Sequence, residues 1–193
     1  MSDIQAIIRP SSARSVELGT ATSEILIAEG YDQEVRWQPG DRLQKLFERR
    51  CAREGDLTAL DVDDECISFA ELDRRANQMA RFLLSEGFGA GDRIGLIVDR
   101  SVASYVALLA VLKIDAAYVP LDTKFPSDRI AYIAGDAGIK AFVTTQAARA
   151  LVAGVGLPIY ELDVASQAAD EHLGAPLDVA LSERPSDALC YII

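Results

Sequence analysis

From Val102 to Leu112 nearly every side chain is apolar, with Ser104 and Tyr105 the exceptions. A helix written this way has no polar face to offer water, so it must be packed on most sides. Its flanks say how. Arg93-Ile94-Gly95-Leu96-Ile97-Val98 reads as a strand before it, and Tyr118-Val119-Pro120-Leu121 as a short buried strand after it. Strand, helix and strand inside about 30 residues make a parallel crossover unit, which is right-handed in nearly all sheets. Ser101 is placed to cap the helix start, and Lys113 lies in the last turn, where a cation suits the dipole.

The segments around this unit repeat the alternation. Asp41 offers a cap with Gln44 three residues on, and Leu43, Leu46, Phe47 and Cys51 give the helix that follows one apolar face. Residues 58–62 and 65–67 fit a β-hairpin turning at Asp63-Asp64. The spaced ligands and closing glutamate of a calcium loop are missing from that turn. Ser68 and Glu71 form a capping-box pattern, with Ile67 and Leu72 at the positions of a hydrophobic staple. Leu72, Ala76, Met79, Ala80 and Leu83 then mark a buried face, and Arg74, Arg75, Asn77, Gln78 and Arg81 a polar one, until Gly87 ends the helix.

Further on, Pro126 suits a first helical turn, Ile130, Ile133, Ala134 and Ala137 share a face, and Gly138 stops the helix. Strand patterns at 139–144 and 158–162 enclose a short helix at 146–152. Residues 164–187, with Pro176 and Pro185, read as a long connection, and 188–193 begins one more apolar strand. The expected fold class is therefore α/β, a parallel sheet flanked by helices on both faces. Residues 1–40, with one short strand pattern at 24–28, are poorly patterned and read as a leader or linker, leaving 41–193 as the domain.

Several function classes fall away. A formal net charge of −11 disfavours nucleic acid or an anionic membrane surface as a partner. Cys51, Cys66 and Cys190 are odd in number and widely spaced, which points to reduced thiols rather than a disulfide framework or zinc site. Cys66 and Cys190 lie in apolar runs and are expected to be buried. His172 is the one histidine and has no nucleophile motif near it. Gly87-Phe88-Gly89-Ala90-Gly91-Asp92 looks like a phosphate loop, yet it follows a helix and leads into a strand, the reverse of a dinucleotide loop. No signal peptide or bilayer-length apolar run is present, so the cytoplasm is the expected location.

Two stretches carry a resemblance. Leu112, Lys113, Ala117, Tyr118, Val119, Pro120, Leu121 and Asp122 match the motif L-K-A-G-x-A-Y-V-P-L-D of adenylation domains of nonribosomal peptide synthetases. Ile114 and Asp115 stand where that family has Ala-Gly, at a helix stop whose left-handed residue favours glycine. Residues 67–72 resemble the family's first motif, L-T-Y-x-E-L, and residues 91–96 and 99–101 extend the likeness, which covers about 36 to 193. It implies an incomplete N-terminal portion, roughly the first third, of the adenylate-forming fold. In that family a strand like Leu189-Cys190-Tyr191-Ile192-Ile193 runs into Y-T-S-G-S-T-G-x-P-K-G, the loop that holds the ATP phosphates, and these 193 residues contain none of it.

The resemblance implies a parent ligase that makes an acyl-adenylate and pyrophosphate from a carboxylic acid and Mg-ATP. The acyl group then passes to the phosphopantetheine thiol of a carrier protein. No catalytic, cofactor-binding or metal residue is assigned within the chain; Lys113 and Asp122 are accounted for by a helix end and a strand end. The chain by itself is expected to be inactive, with the remainder of the domain and a carrier as its partners. A non-catalytic binding module on the same scaffold, or a separate nucleotide-binding enzyme, are the alternatives.

Overall fold

The strand–helix–strand unit forms part of a four-stranded parallel sheet. A computed structural model describes residues 41–62, 65–177 and 188–193, all within the second of two units, Gly40–Ile193. The expected leader, the Asp63-Asp64 turn and part of the late connection lie outside the described residues. Strand β3 (Arg93–Ile97), helix α3 (Val102–Lys113) and strand β4 (Ala117–Pro120) form the crossover, with β3 and β4 parallel and Ile94 level with Tyr118. Ser101 caps α3 by accepting from the Ser104 N–H at 3.3 Å. Helix α4 (Ser127–Ala137) leads to β5 (Ala141–Thr144), which pairs with the other side of β3. A 3-10 turn and the short helix α5 (Arg149–Val152) lead to β6 (Ile159–Glu161), so the parallel order is β4-β3-β5-β6.

Alternate residues of these strands point to opposite faces, and each face builds its own core. Ile94, Leu96, Ala141 and Val143 pack under α3 and under helix α2 (Phe69–Ser85), with Leu162, Ala165 and Ala169 completing that layer. Ile97, Val119 and Phe142 pack with Ile130, Ala134 and Val152 of α4 and α5 on the other. The expected two-sided sheet is present. Helix α1 (Leu43–Glu54) and the antiparallel hairpin β1 (Thr58–Val62) and β2 (Glu65–Ser68) precede α2.

Five local expectations need correction. Helix α1 is capped by the backbone of Arg42 rather than by Asp41, whose carboxylate pairs with Arg49 at 2.8 Å. Leu43 is 50% exposed, and Gln44 is the fully buried residue of that helix. The capping box at Ser68 is half made: Ser68 accepts from the Glu71 N–H at 3.2 Å, while the Glu71 carboxylate turns to Arg74 and Arg75. The connection from 164 begins instead with a helix, α6 (Leu162–Asp170), whose Leu162, Ala165 and Ala169 are buried at helical spacing.

The strand expected at 188–193 is the fifth. It makes one parallel bridge, Tyr191 with Tyr118, through Tyr118 N–H to the Cys190 carbonyl at 3.1 Å and Ile192 N–H to the Tyr118 carbonyl at 3.0 Å. The next β4 residue whose N–H would face that side is Pro120, which has none, so the ladder stops after one step.

The turn after α3 forms as the motif comparison implies. Asp115 has φ 60°, the left-handed value. The Ala116 N–H reaches the Val111 carbonyl at 3.1 Å and the Asp115 N–H reaches that of Leu112 at 3.0 Å, a Schellman pair that satisfies two helix-end acceptors. An aspartate in this conformation costs about 1 kcal/mol relative to glycine. Its carboxylate finds an offset in Arg42, 3.0 Å away.

Candidate functional site

Three places gather polar chemistry, and each is built from the elements just described. The first is the carboxyl end of the sheet. Ligands in open α/β sheets bind outside strand ends where successive crossovers leave on opposite faces. Here that point lies between β3, whose next helix joins the α2 layer, and β5, whose next helix joins the other. Asp99, Ser101, Thr144 and Thr145 stand there. Their groups serve the chain: Asp99 accepts from the Ser104 hydroxyl at 3.0 Å, Thr145 caps the Ala148 N–H at 3.3 Å, and Thr144 donates to the Thr145 carbonyl. No hydroxyl is paired with an imidazole, so no activated nucleophile is assembled among them.

The second place is beneath α1. Lys113, 3% exposed, puts its ammonium 2.8 Å from both the Glu48 and the Asp73 carboxylates. Reading it as a helix-end charge was incomplete: the dipole matters less here than two carboxylates from two other helices. Burial raises the Glu48 carboxyl, but hydrogen bonds from Lys113 and Lys45 outweigh it and hold that group below its usual range. Cys51 lies alongside, and burial together with the Asp73 charge pushes its thiol up to about 11, so it stays protonated and inert at neutral pH.

The third is a cleft of about 540 Å³ between α2, α3 and α6, floored by Met79, Val106 and Ala169. Arg74 and Arg75 at its edge are already spent on Glu71, at 2.6 and 2.8 Å, and Arg75 also on Glu65 at 2.7 Å. The hydrogen bonds from Arg74 pull the Glu71 carboxyl down to about 2, Arg75 adding to the effect against the opposing influence of burial. A carboxyl lowered on folding stabilises the fold fully above its unfolded value near 4.5, and this contribution disappears as pH falls toward about 2. Urea midpoints should therefore drop between pH 4.5 and 2, and Glu71→Gln should show a shallower drop from a lower neutral-pH value. Solvent screening at this partly exposed site keeps the difference modest.

Asn77 and Gln78, expected on a polar surface, are buried. They grip the end of α6 and the backbone after it: Asn77 donates to the Gly174 carbonyl at 3.1 Å, and Gln78 to those of Asp170 and His172 at 3.2 and 3.0 Å. His172 packs edge-on against Phe82. Asp122 accepts from the Lys124 N–H at 2.8 Å, a local turn. In the glycine loop the Gly89 N–H goes to Asp92 at 2.9 Å and the Gly91 N–H to the Asp115 carbonyl at 3.0 Å, so these donors do not suit a phosphate. Cys66 is exposed and Cys190 half-exposed, against expectation, because Cys66 faces outward on the two-stranded hairpin. Among the described residues no three His, Cys, Asp or Glu side chains are grouped to hold a metal, and no helix is long and apolar enough to cross a membrane.

Comparison with known proteins decides the family. The pattern of the AMP-binding enzymes matches residues 47–193. This chain belongs to the AMP-binding enzyme family. It is similar to tyrocidine synthase 1 of Brevibacillus parabrevis, 37% identical over 122 residues, which are 63% of this chain and 11% of the synthase. To tyrocidine synthase 2 of the same organism it is 34% identical over 155 residues, 80% of this chain and 4% of the synthase. Its fold is similar to part of an artificially fused adenylation–PCP di-domain, NpsA–ThdA from Klebsiella oxytoca, with a TM-score of 0.69 at 22% identity over 79% of this chain and 28% of that one. The chain thus spans a small part of the relatives it matches, and it corresponds to an N-terminal stretch of a nonribosomal peptide synthetase adenylation domain.

Proposed function

We propose that residues 41–193 are scaffold for an adenylation reaction in the cytoplasm, with 1–40 a leader to that domain. The reaction joins an amino or other carboxylic acid to ATP with magnesium, giving acyl-adenylate and pyrophosphate. A carrier-protein phosphopantetheine thiol then takes the acyl group, so the remainder of the domain and a carrier are the partners. The observation that carries this reading is the family match across 47–193. When bound, the nucleotide would supply the adenylyl group and the metal would stabilise the charge on the departing pyrophosphate. The part played by the residues described is positional: β3, β5 and the 190–192 segment set the sheet from which such a site is hung, and Lys113 and Asp115 fix the α3 end.

Amino-acid-dependent ATP–pyrophosphate exchange tests the proposal. The 193 residues on their own should give background, whereas the whole product of the reading frame that contains them should exchange with at least one amino or aryl acid. A whole product inert toward every such acid would overturn the adenylation reading. Turnover by the 193 residues would overturn their assignment as scaffold.

A further inference from the structure

Among the described helices, α1 is the one whose sole buried residue is polar. Neither Leu46, Phe47 nor Cys51 is fully buried, and Gln44 alone is. What fastens α1 is charge. Glu48 pairs with Lys113 in the last turn of α3 and, one residue before α1, Arg42 pairs with Asp115 just past the end of α3, so both ties reach the same end of that helix. Lys45, Arg49, Arg50 and Arg53 outnumber Glu48 and Glu54, making α1 a basic helix in a chain of net charge −11. Apolar support comes from the tilted Phe47–Phe69 pair at 6.2 Å, and Cys51 adds a contact to the Phe69 carbonyl at 3.4 Å.

We infer that α1 is an electrostatic clasp, which lifts from the α2–α3 body as a unit, before the body unfolds, when ionic strength rises. Lifting strands no charge. Lys113 keeps Asp73 at 2.8 Å on α2, and the freed Glu48, Arg42 and Asp115 groups regain water. Hydration of released ions recovers much of what a docked ion pair gives, so such a helix opens at lower cost than one seated on apolar surface. Salt further favours the open form by screening the attraction between a basic helix and an acidic body.

The sign of the salt effect separates this clasp from ordinary packing, because salts that strengthen apolar burial would slow the opening. Amide hydrogen exchange on the full 193-residue chain supplies the readout. Between about 0.05 and about 1 M NaCl the α1 amides should exchange several-fold faster, while those of the α2 and α3 interiors hold steady. Glu48→Gln should exchange faster at low salt and respond less to added salt. Phe47→Leu should also exchange faster but keep the wild-type salt response. Exchange of α1 in step with α2 and α3 at every salt concentration would overturn the clasp. So would slower exchange with salt, or an unchanged salt response in Glu48→Gln.

Discussion

Lys113→Met is expected to lower the stability of the chain by about 3 kcal/mol. Methionine keeps the apolar stem and removes the charge, so the loss measures the charge. In the wild type one ammonium serves two carboxylates, Glu48 and Asp73, each 2.8 Å away. Asp73 Oδ1 is buried and has no hydrogen bond of its own, which leaves the ammonium as its compensation. Without it, Glu48 keeps Lys45 at 2.7 Å and Asp73 Oδ2 keeps the Asn77 amide at 3.1 Å, but the buried Asp73 Oδ1 loses its cation. Breaking one side of a buried ion pair costs about 3–5 kcal/mol. The low end applies because the side chains of Glu48 and Asp73 remain 23% and 17% exposed. The check is a urea denaturation midpoint at neutral pH. A triple replacement, Lys113→Met with Glu48→Gln and Asp73→Asn, should recover most of the loss, since neutral groups of similar shape strand nothing. A single variant within about 1 kcal/mol of wild type would mean that water already reaches the cluster.

The same cluster shows where sequence reading stops. The α3 helix was legible because apolar residues all around a helix admit one arrangement, burial on most sides, and eight of its residues are buried. The αL residue at 115 was legible through the motif comparison, which sets Asp115 where the family has the glycine of a helix stop. Lys113 shares that turn, yet its partners come from residues 48 and 73, and no local pattern relates the three. Asn77 and Gln78 hide in the same way. Their residue types say surface, and beside the local bonds to Asp73 and Arg74 it is the carbonyls of 170–174, nearly a hundred residues away, that offset burying them. Helix α6 did leave a signal in Leu162, Ala165 and Ala169, but Pro176 and Pro185 drew the whole segment into a connection. The family resemblance was legible at two short motifs, which lie at a capped helix start, Ser68, and at a helix stop, Asp115.

Gly95→Val is expected to cost about 2–3 kcal/mol through overpacking at the centre of the sheet. Glycine in a strand interior normally weakens it, so its presence in β3 needs a reason. A Cβ on Gly95 would lie 2.6 Å and 2.8 Å from two ring carbons of Phe142 and 3.2 Å from Ile139 Cδ1. Phe142 is the residue level with Gly95 on β5, and its ring is fully buried among the α4 and α5 side chains. The ring uses the space a side chain on β3 would occupy, and close packing on all sides leaves it nowhere to move. Alanine at 95 should cost less than valine but still more than its better strand propensity returns. The cause can be isolated by pairing Gly95→Ala with Phe142→Leu, which shortens the ring side. If contact with Phe142 is the origin of the loss, the two changes should be less harmful together than their sum, by about 1 kcal/mol or more in a double-mutant cycle. Additive losses would trace the need for glycine to the backbone of β3 instead.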